Sequence, residues 1–197
     1  KMAIKIVTDS ASDIPTDIAK KLDITVVPLN VHFGDEVYKD GIDLTTDTFF
    51  EKIVDDPRHP STSQPSMGEF VDAYQKIASE GDEIISIHIT SKLSGTFNSA
   101  TQAAAQLKDQ VKVHVIDTAN VSCTIAYSAI AAAESIKNGS SVEEAIEIAK
   151  SVAERGHFYA LFDTLEYLAK GGRIGKAQSL LGGLLKVKAI LKTSDGV

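Results

Sequence analysis

The stretch that decides the fold is DEIISIHITSKLSGTFNSATQAAAQL, residues 82–107. Its first part is apolar and rich in isoleucine, which predicts a buried strand, and its last part consists of good helix formers. The turn between them carries Ser94, Thr96 and Ser99 beside Gly95. Such a crowded strand-to-helix turn is compatible with helix capping, a phosphate cradle, a nucleophile or a clamp for a carboxylate.

The same order of strand and helix repeats from the start of the chain to about Gly156. This alternation predicts an α/β fold in which a mostly parallel sheet carries helices on both faces. Residues 157–197 read as a strand, a short helix and a last strand, and they are too few for an independent core. We therefore expect an α/β ligand-binding domain over residues 1–156. Over residues 157–197 we expect the start of a second, α+β domain that is truncated.

Proline shapes two details of this prediction. Residues 24–33, ITVVPLNVHF, are predicted as a single extended run with an edge or irregularity at Pro28. Residues 57–66, PRHPSTSQPS, are predicted as a loop, because each of three prolines disfavours the helical conformation in the residue before it. Ser66 and Glu69 form a capping box that predicts a helix directly after this loop, and Ser141 and Glu144 form another.

Composition and charge exclude several classes of function. The formal net charge of −7 argues against nucleic acid or an anionic membrane surface as the main partner. No apolar stretch approaches the roughly 20 residues of a membrane span, and no signal segment precedes the first strand, so we expect a cytoplasmic protein. The single cysteine, Cys123, excludes an internal disulfide, and its apolar helical surroundings favour inert packing.

Two hydroxyl-rich turns are candidates for one binding site. In a parallel sheet, ligands bind at the carboxyl ends of the strands, where helix N-termini favour an anion. Ser94 fits this description and Gly95 lets a ligand approach the backbone, although a simple N-cap worth about 1 kcal/mol also explains Ser94. Thr62 and Ser63 precede the next helix N-terminus, and both are left to face a ligand because Ser66 serves as the cap.

A third candidate is the loop KGGRIG, residues 170–175, which places Arg173 between glycines. A cation in such a loop suits a phosphate or an acidic group of a partner. By contrast, turn and capping chemistry is the favoured explanation for Asp9 in TDSASD, residues 8–13.

Motifs for other chemistry are missing from the sequence. There is no G-x-S-x-G elbow, no P-loop and no G-x-G-x-x-G after the first strand. His88 and His114 have no acidic or histidine neighbour at ligand spacing, so no metal site is predicted. A phosphoryl- or acyl-transfer enzyme that uses the hydroxyl turns stays open as an alternative, without an evident general base. A purely structural α/β domain is the third possibility.

Five segments, taken in order, resemble the bacterial DegV family: IVTDSASDIP, STSQPS, ITSKLSGTFNSA, VID and LEYLAKGGRIG. The resemblance implies an α/β domain followed by a second domain. It implies a long-chain fatty acid, such as palmitate, stearate or oleate, as the ligand and no other cofactor. It also implies a carrier rather than a catalyst, one that presents the acyl carboxylate to a separate fatty acid kinase.

By this resemblance Thr62 and Ser94 hold the carboxylate, Gly95 and Thr96 supply backbone donors, and Arg173 lies near the domain junction. The sequence departs from the family pattern after VID, where the family is rich in glycine and this chain has TANVSCTIAYSA. It also has KAIL at residues 188–191, where the family has KPIL. We further expect the family's C-terminal part, which brings a histidine to the carboxylate, to be missing, and this would leave the pocket open.

Overall fold

Strands and helices alternate along most of the chain in the computed structural model, which describes residues 3–180 and 188–197. These residues form nine strands and seven α-helices. The strands are β1 (Ile4–Asp9), β2 (Ile24–Val27), β3 (Asn30–Phe33), β4 (Glu36–Lys39), β5 (Ser61–Ser63), β6 (Glu83–His88), β7 (Lys112–Asp117), β8 (Tyr159–Phe162) and β9 (Ala189–Lys192). The α-helices are α1 (Thr16–Leu22), α2 (Thr46–Asp55), α3 (Met67–Ile77), α4 (Thr96–Gln106), α5 (Cys123–Lys137), α6 (Val142–Arg155) and α7 (Glu166–Lys170).

Four strands form a parallel sheet in the order β2-β1-β6-β7. β1 and β6 lie at its centre, where Thr8 stands opposite Ile87, 79 residues further along the chain. The connections between parallel strands must cross over the sheet, and here they carry helices. The predicted α/β fold with a mostly parallel sheet is therefore confirmed.

Helices cover both faces of this sheet, as predicted. α1, α5 and α6 pack on one face against a core that includes Ile85 and Ile87. α3 and α4 pack on the other face with Ile84, and Phe70 and Tyr74 are fully buried there. Successive residues of β6 thus enter opposite cores, as the two-residue period of a strand requires. Each fully buried isoleucine contributes about 2 kcal/mol of hydrophobic stabilisation.

Two helices begin at the capping boxes that the sequence predicts. Ser66 Oγ accepts a hydrogen bond from Glu69 N at 3.2 Å, and Glu69 Oε2 accepts one from Ser66 N at 2.7 Å. Ser141 and Glu144 form the same reciprocal pair at the start of α6. These side chains satisfy backbone donors that lack helical partners, and they fix where α3 and α6 begin.

The irregularity predicted at Pro28 is confirmed, but the single extended run predicted for residues 24–33 is wrong. The chain leaves the parallel sheet at Pro28, and the run becomes two strands in two different sheets. β3 belongs to a three-stranded antiparallel sheet of order β4-β3-β5, in which Val31 and Phe33 are buried with Leu44. Because proline lacks the N–H that a sheet ladder needs, Pro28 is a natural place for this break.

The loop predicted for residues 57–66 is also partly wrong. Ser61–Ser63 form β5, which pairs antiparallel with β3 and places Thr62 opposite Val31. The prolines that argue against a helix in this segment favour extended backbone, and extended backbone is what a short strand needs.

The C-terminal residues form a two-stranded antiparallel sheet, in which Phe162 of β8 stands opposite Ala189 of β9. Gly156, which ends α6 and precedes this part, has extended backbone with φ −72° and ψ 135°. The division of the chain into domains at Gly156 stays a prediction. Neither described range contains a helix long and apolar enough to cross a bilayer.

Candidate functional site

A cavity of about 530 Å³ lies between the carboxyl ends of the parallel strands and the β8–β9 sheet. The residues that follow β1, β6 and β7 contribute Ala11, Ile89 and Val121. The C-terminal part contributes further apolar side chains, namely Phe158, Phe162, Leu168, Ile174 and Leu191. This volume falls within the range of about 300–1,000 Å³ that is usual for small-molecule sites.

The charged side chains on the cavity wall all carry the same sign. Arg173, Lys176 and Lys192 line the cavity, whereas no aspartate or glutamate of the described ranges does so. An anion inside the cavity is attracted by these cations more strongly than in bulk water, because the apolar wall lowers the local dielectric constant. The cavity therefore suits a ligand with an anionic head and an apolar body.

The structure brings three of the six predicted site residues to this cavity. Thr62, Ser94 and Arg173 line it, and they come from three separate parts of the chain. The other three, Ser63, Gly95 and Thr96, do not line it. Binding by any of the six stays a prediction, and the immediate surroundings of each residue indicate how it can contribute.

Ser94 is not the N-cap of α4. That position belongs to Gly95, which has no side chain to cap the helix. Ser94 Oγ accepts a hydrogen bond from Thr96 N at 3.3 Å and lies 2.9 Å from Thr96 Oγ1. When Thr96 donates, the Ser94 hydroxyl proton is available to a ligand in the cavity. The fully buried Thr96 thus holds the Ser94 hydroxyl in place from behind.

Thr62 and Ser63 cannot both face the cavity, because successive side chains of a strand point to opposite sides. Thr62 lines the cavity. Ser63 Oγ instead lies 2.8 Å from His32 Nε2 and 3.4 Å from Asn30 Nδ2, both on β3. Ser63 therefore ties β5 to β3, which supports the position of Thr62.

Gly95 opens the space next to α4 to a protein side chain. A Cβ added at Gly95 would lie 2.8 Å from Gln64 Nε2 and 2.9 Å from Gln64 Cδ. The prediction that Gly95 permits a close approach fits this geometry, but the group that approaches is Gln64, two residues after Thr62. The glycine thus lets the two hydroxyl turns come together.

Arg173 connects the C-terminal part to the Ser94 turn. Its Nη1 donates to Gly171 O at 2.6 Å, and its Nε donates weakly to Leu93 O at 3.4 Å. The guanidinium remains exposed and lines the cavity, so it still has donors for an anionic ligand. Arg173 therefore contacts the turn and also presents N–H donors at the cavity wall.

Sequence reasoning missed a buried polar cluster under the cavity. His88 has no acidic or histidine neighbour at ligand spacing in the sequence, but the fold brings its Nδ1 to 2.8 Å from Asp9 Oδ2. His114 likewise lies 2.6 Å from Glu83 Oε2. Both contacts join neighbouring strands, so sequence spacing gives no signal for them. Together with Ser86, the Asp9–His88 pair has the residue types of a hydrolase triad, but all three side chains are fully buried.

The expectation for the single cysteine is wrong as well. Cys123 is exposed at the first position of α5 instead of being packed in the core. Among the residues that the structure describes, no group of three or more His, Cys, Asp or Glu side chains is arranged to hold a metal ion.

Comparison with known proteins supplies the family. The family model described as "Uncharacterised protein, DegV family" matches residues 3–197. A solved structure of DegV from Bacillus subtilis, described as a fatty acid binding protein, is similar with a TM-score of 0.91 and 37% identity, and the match covers 100% of this chain and 70% of that one.

Two further solved structures are similar over the same extent. A DegV family protein from Thermus thermophilus, described by its fatty acid binding, has a TM-score of 0.88 and 38% identity, with 99% of this chain and 69% of that chain covered. A stearic acid-binding protein from Eubacterium ventriosum has a TM-score of 0.88 and 32% identity, with 98% and 68% covered. Because the family model matches residues 3–197, almost the whole of this chain, the chain belongs to the DegV family.

Proposed function

We propose that this protein binds a long-chain fatty acid in the cavity between the parallel sheet and the β8–β9 sheet. The observation that carries the proposal is the cavity wall, which is mainly apolar, whose charged side chains in the described ranges are all cationic, and whose hydroxyl residues include Thr62 and Ser94 from two separate turns. The fatty acid binding described for the relatives from Bacillus subtilis and Thermus thermophilus supports the same ligand.

The acyl chain supplies most of the affinity. Burial of each methylene contributes about 0.8 kcal/mol, so a long chain gains on the order of 10 kcal/mol before the costs of binding. One hydrogen bond to the carboxylate contributes about 1.5–3 kcal/mol. The apolar wall therefore decides whether a lipid binds, and the polar groups decide which end is presented.

The carboxylate is held where the two hydroxyl turns meet. In this proposal Thr62 and Ser94 donate their hydroxyl protons to it, and Arg173 adds a charged donor next to the Ser94 turn. Ser63, Gly95 and Thr96 act indirectly. Ser63 anchors β5, Gly95 admits Gln64 between the turns, and Thr96 orients Ser94.

The protein acts as a carrier that presents the carboxylate to a separate fatty acid kinase. A single carboxylate end fixed by two hydroxyls gives a kinase a defined acceptor oxygen, as positioning of the reacting group requires. The two proposed units, residues 1–156 and 157–197, then form the two walls of the binding cavity.

The test compares hydroxyl variants in a fatty acid titration, with palmitate and oleate as probes. Ser94→Ala and Thr62→Val are each expected to weaken binding about tenfold, the effect of losing one hydrogen bond to a charged group. Ser91→Ala is the matched control, because Ser91 lies in the same turn, is exposed and does not line the cavity. Binding of neither lipid by the unaltered protein, and none found by mass spectrometry of a solvent extract, would overturn the proposal.

The kinase role needs its own measurement. With a fatty acid kinase supplied, formation of acyl phosphate by Ser94→Ala is expected to fall further than its affinity does, because the variant keeps the acyl chain but misplaces the carboxylate. Equal losses in binding and in acyl phosphate formation would count against presentation.

A further inference from the structure

Four polar side chains beneath the cavity form one continuous buried chain, Tyr74–Ser86–His88–Asp9, called here the buried relay. Tyr74 Oη lies 2.8 Å from Ser86 Oγ, and Ser86 Oγ lies 2.6 Å from His88 Nε2. His88 Nδ1 lies 2.8 Å from Asp9 Oδ2. All four side chains are fully buried and none lines the cavity, so the proposed function uses none of them directly.

The order of the protons along the buried relay follows from counting donors. The phenol proton of Tyr74 can be satisfied only if it is donated to Ser86 Oγ, the one partner of that hydroxyl among the hydrogen bonds of the described residues. Ser86 then donates its own proton to His88 Nε2, so the histidine proton sits on Nδ1 and is donated to Asp9. Every proton of the four side chains finds an acceptor in this arrangement, which selects a single tautomer of the His88 ring.

The relay ends at the Asp9 carboxylate, which accepts hydrogen bonds from the backbone of two residues that line the cavity. Asp9 Oδ1 accepts from Ala11 N at 3.0 Å, and Asp9 Oδ2 accepts from Ile89 N at 3.2 Å in addition to His88. Ala11 and Ile89 both line the cavity, and the turn that begins at Ile89 leads on to Ser94. Asp9 thus joins the turn after β1 to the turn after β6.

We infer that Asp9 is a positioning residue of the fatty acid site, held in place as an acceptor of three N–H groups. His88, with its ring proton directed at Asp9, provides one of them, and Asp9 keeps the backbone at Ala11 and Ile89 in place under the ligand. The inference rests on the proposed function for its ligand, but the proton order can be measured without any ligand.

Replacement of Asp9 by asparagine turns one of its two acceptor oxygens into a donor nitrogen. The amide of Asn has one acceptor oxygen and one donor nitrogen, whereas the site presents three donors. If the amide nitrogen faces His88, the ring must carry its proton on Nε2 and donate it to Ser86 Oγ. The hydroxyl proton of either Ser86 or Tyr74 then loses its acceptor. If the nitrogen faces Ala11 instead, the backbone of that turn loses its hydrogen bond.

The first measurement is nitrogen NMR of the His88 ring in the unaltered full chain, near neutral pH. We expect a proton on Nδ1 and a bare Nε2. A proton on Nε2, or on both nitrogens, overturns the inference, and this outcome is readable even if no variant folds.

The second measurement compares two variants at opposite ends of the relay by palmitate titration and by the amide signals of Ala11 and Ile89. Asp9→Asn is expected to bind about tenfold more weakly, to shift both amide signals and to change the His88 tautomer. Tyr74→Phe removes only the far donor, so it is expected to keep the tautomer and to bind within about twofold of the unaltered protein.

The outcomes separate this inference from the proposed function. A folded Asp9→Asn protein that binds palmitate normally overturns the inference, and so does a Tyr74→Phe protein that loses as much affinity. If Asp9→Asn does not fold, the inference is still tested by the His88 tautomer of the unaltered protein and by the palmitate affinity of Tyr74→Phe. If the unaltered protein binds no palmitate, the proposed function fails, and the tautomer and the two amide signals alone test the role of Asp9.

Discussion

At the scale of single residues, Gly156 is a glycine because of a contact and not because of its backbone angles. Its φ of −72° is open to any residue. A Cβ at this position would lie 2.3 Å from Thr124 Cγ2, closer than real side chains approach. The glycine therefore lets the end of α6 lie against the start of α5, and the α5–α6 pair covers one face of the parallel sheet.

Gly156→Ala is expected to lower the free energy of unfolding by about 2 kcal/mol, the usual cost of overpacking. Thr124→Ser in the same protein removes the clashing methyl and is expected to restore most of this loss. Gly68→Ala is the control: its Cβ would meet nothing closer than Ser66 Oγ at 3.9 Å, and alanine favours the helix. Urea denaturation measures all three proteins, and an undiminished stability of Gly156→Ala would contradict this account of the contact.

Ala119 has a strained backbone conformation that the sequence does not reveal directly. It is exposed in the turn after β7 and has φ 50°, in the left-handed region. This is the stretch where the family pattern is rich in glycine and this chain is not. A non-glycine residue in that region loses about 1–2 kcal/mol.

We therefore expect Ala119→Gly to raise the free energy of unfolding by up to about 1 kcal/mol, since relief of strain exceeds the greater freedom of the unfolded chain. Ala105→Gly, at an exposed position of α4, is expected to have the opposite sign and a similar size. Thermal unfolding compares the pair. Two changes of the same sign would show that the backbone at Ala119 is not strained.

At the scale of elements, those with a strong period or a capping signal could be predicted, and those without one could not. The periodic apolar residues and the Ser66–Glu69 box made α3 predictable. β5 has three polar residues and no apolar alternation, so nothing local marks it as a strand. Its strand character comes from pairing with β3, a tertiary contact that lies outside the segment.

The caps themselves are testable elements. Ser66→Ala and Ser141→Ala are each expected to lower the free energy of unfolding by about 1 kcal/mol through loss of an N-cap. Only Ser66→Ala should also weaken fatty acid binding, because Ser66, the N-cap of α3, lies four residues after Thr62, while α6 contributes no residue to the cavity wall in the described ranges. Equal affinities for the two variants would mean that the start of α3 does not support the Thr62 turn.

At the scale of the whole molecule, the two hydroxyl turns could be predicted but the cavity between them could not. Ser94 and Thr62 could be chosen as candidate ligand contacts because ligands bind at strand ends and helix N-termini. The apolar wall gives no such signal, because Phe158 and Phe162, which line the cavity, read like core residues. Nor does alternation help, since Leu161 between them is also apolar and yet exposed.

Acid stability depends on an ion network that spans the antiparallel sheet and α2. Hydrogen bonds from the Tyr38 hydroxyl, and then from Lys52 and Arg58, lower the pKa of Glu36 from 4.5 to about 2. A folded-state pKa below the unfolded value means that this stabilisation is present above about pH 4.5 and is lost as the pH falls toward 2. Because Glu36 is exposed, solvent screens part of the effect.

Glu36→Gln is accordingly expected to flatten the fall in stability between pH 4.5 and pH 2, the two ends of the Glu36 pKa change. Glu51→Gln, at an exposed position of α2, serves as the charge-matched control. Unfolding free energies measured at several pH values give the slope for each protein. A slope for Glu36→Gln as steep as that of the control would refute the role of this network.

The pairing of β1 with β6 determines when the central part of the parallel sheet can form during synthesis of the chain. Thr8 of β1 can pair with β6 only after Ile87, 79 residues further along the chain, has been synthesised. At about 5–20 residues per second, a ribosome takes on the order of 10 s to deliver that partner. Throughout this interval β1, a central strand of the finished sheet, has an open edge, whereas the last strand of the antiparallel sheet that carries Thr62 has been synthesised once the chain reaches Ser63, before β6. The part of the proposed lipid site that carries Thr62 is therefore synthesised before β6, the strand that leads to the Ser94 turn.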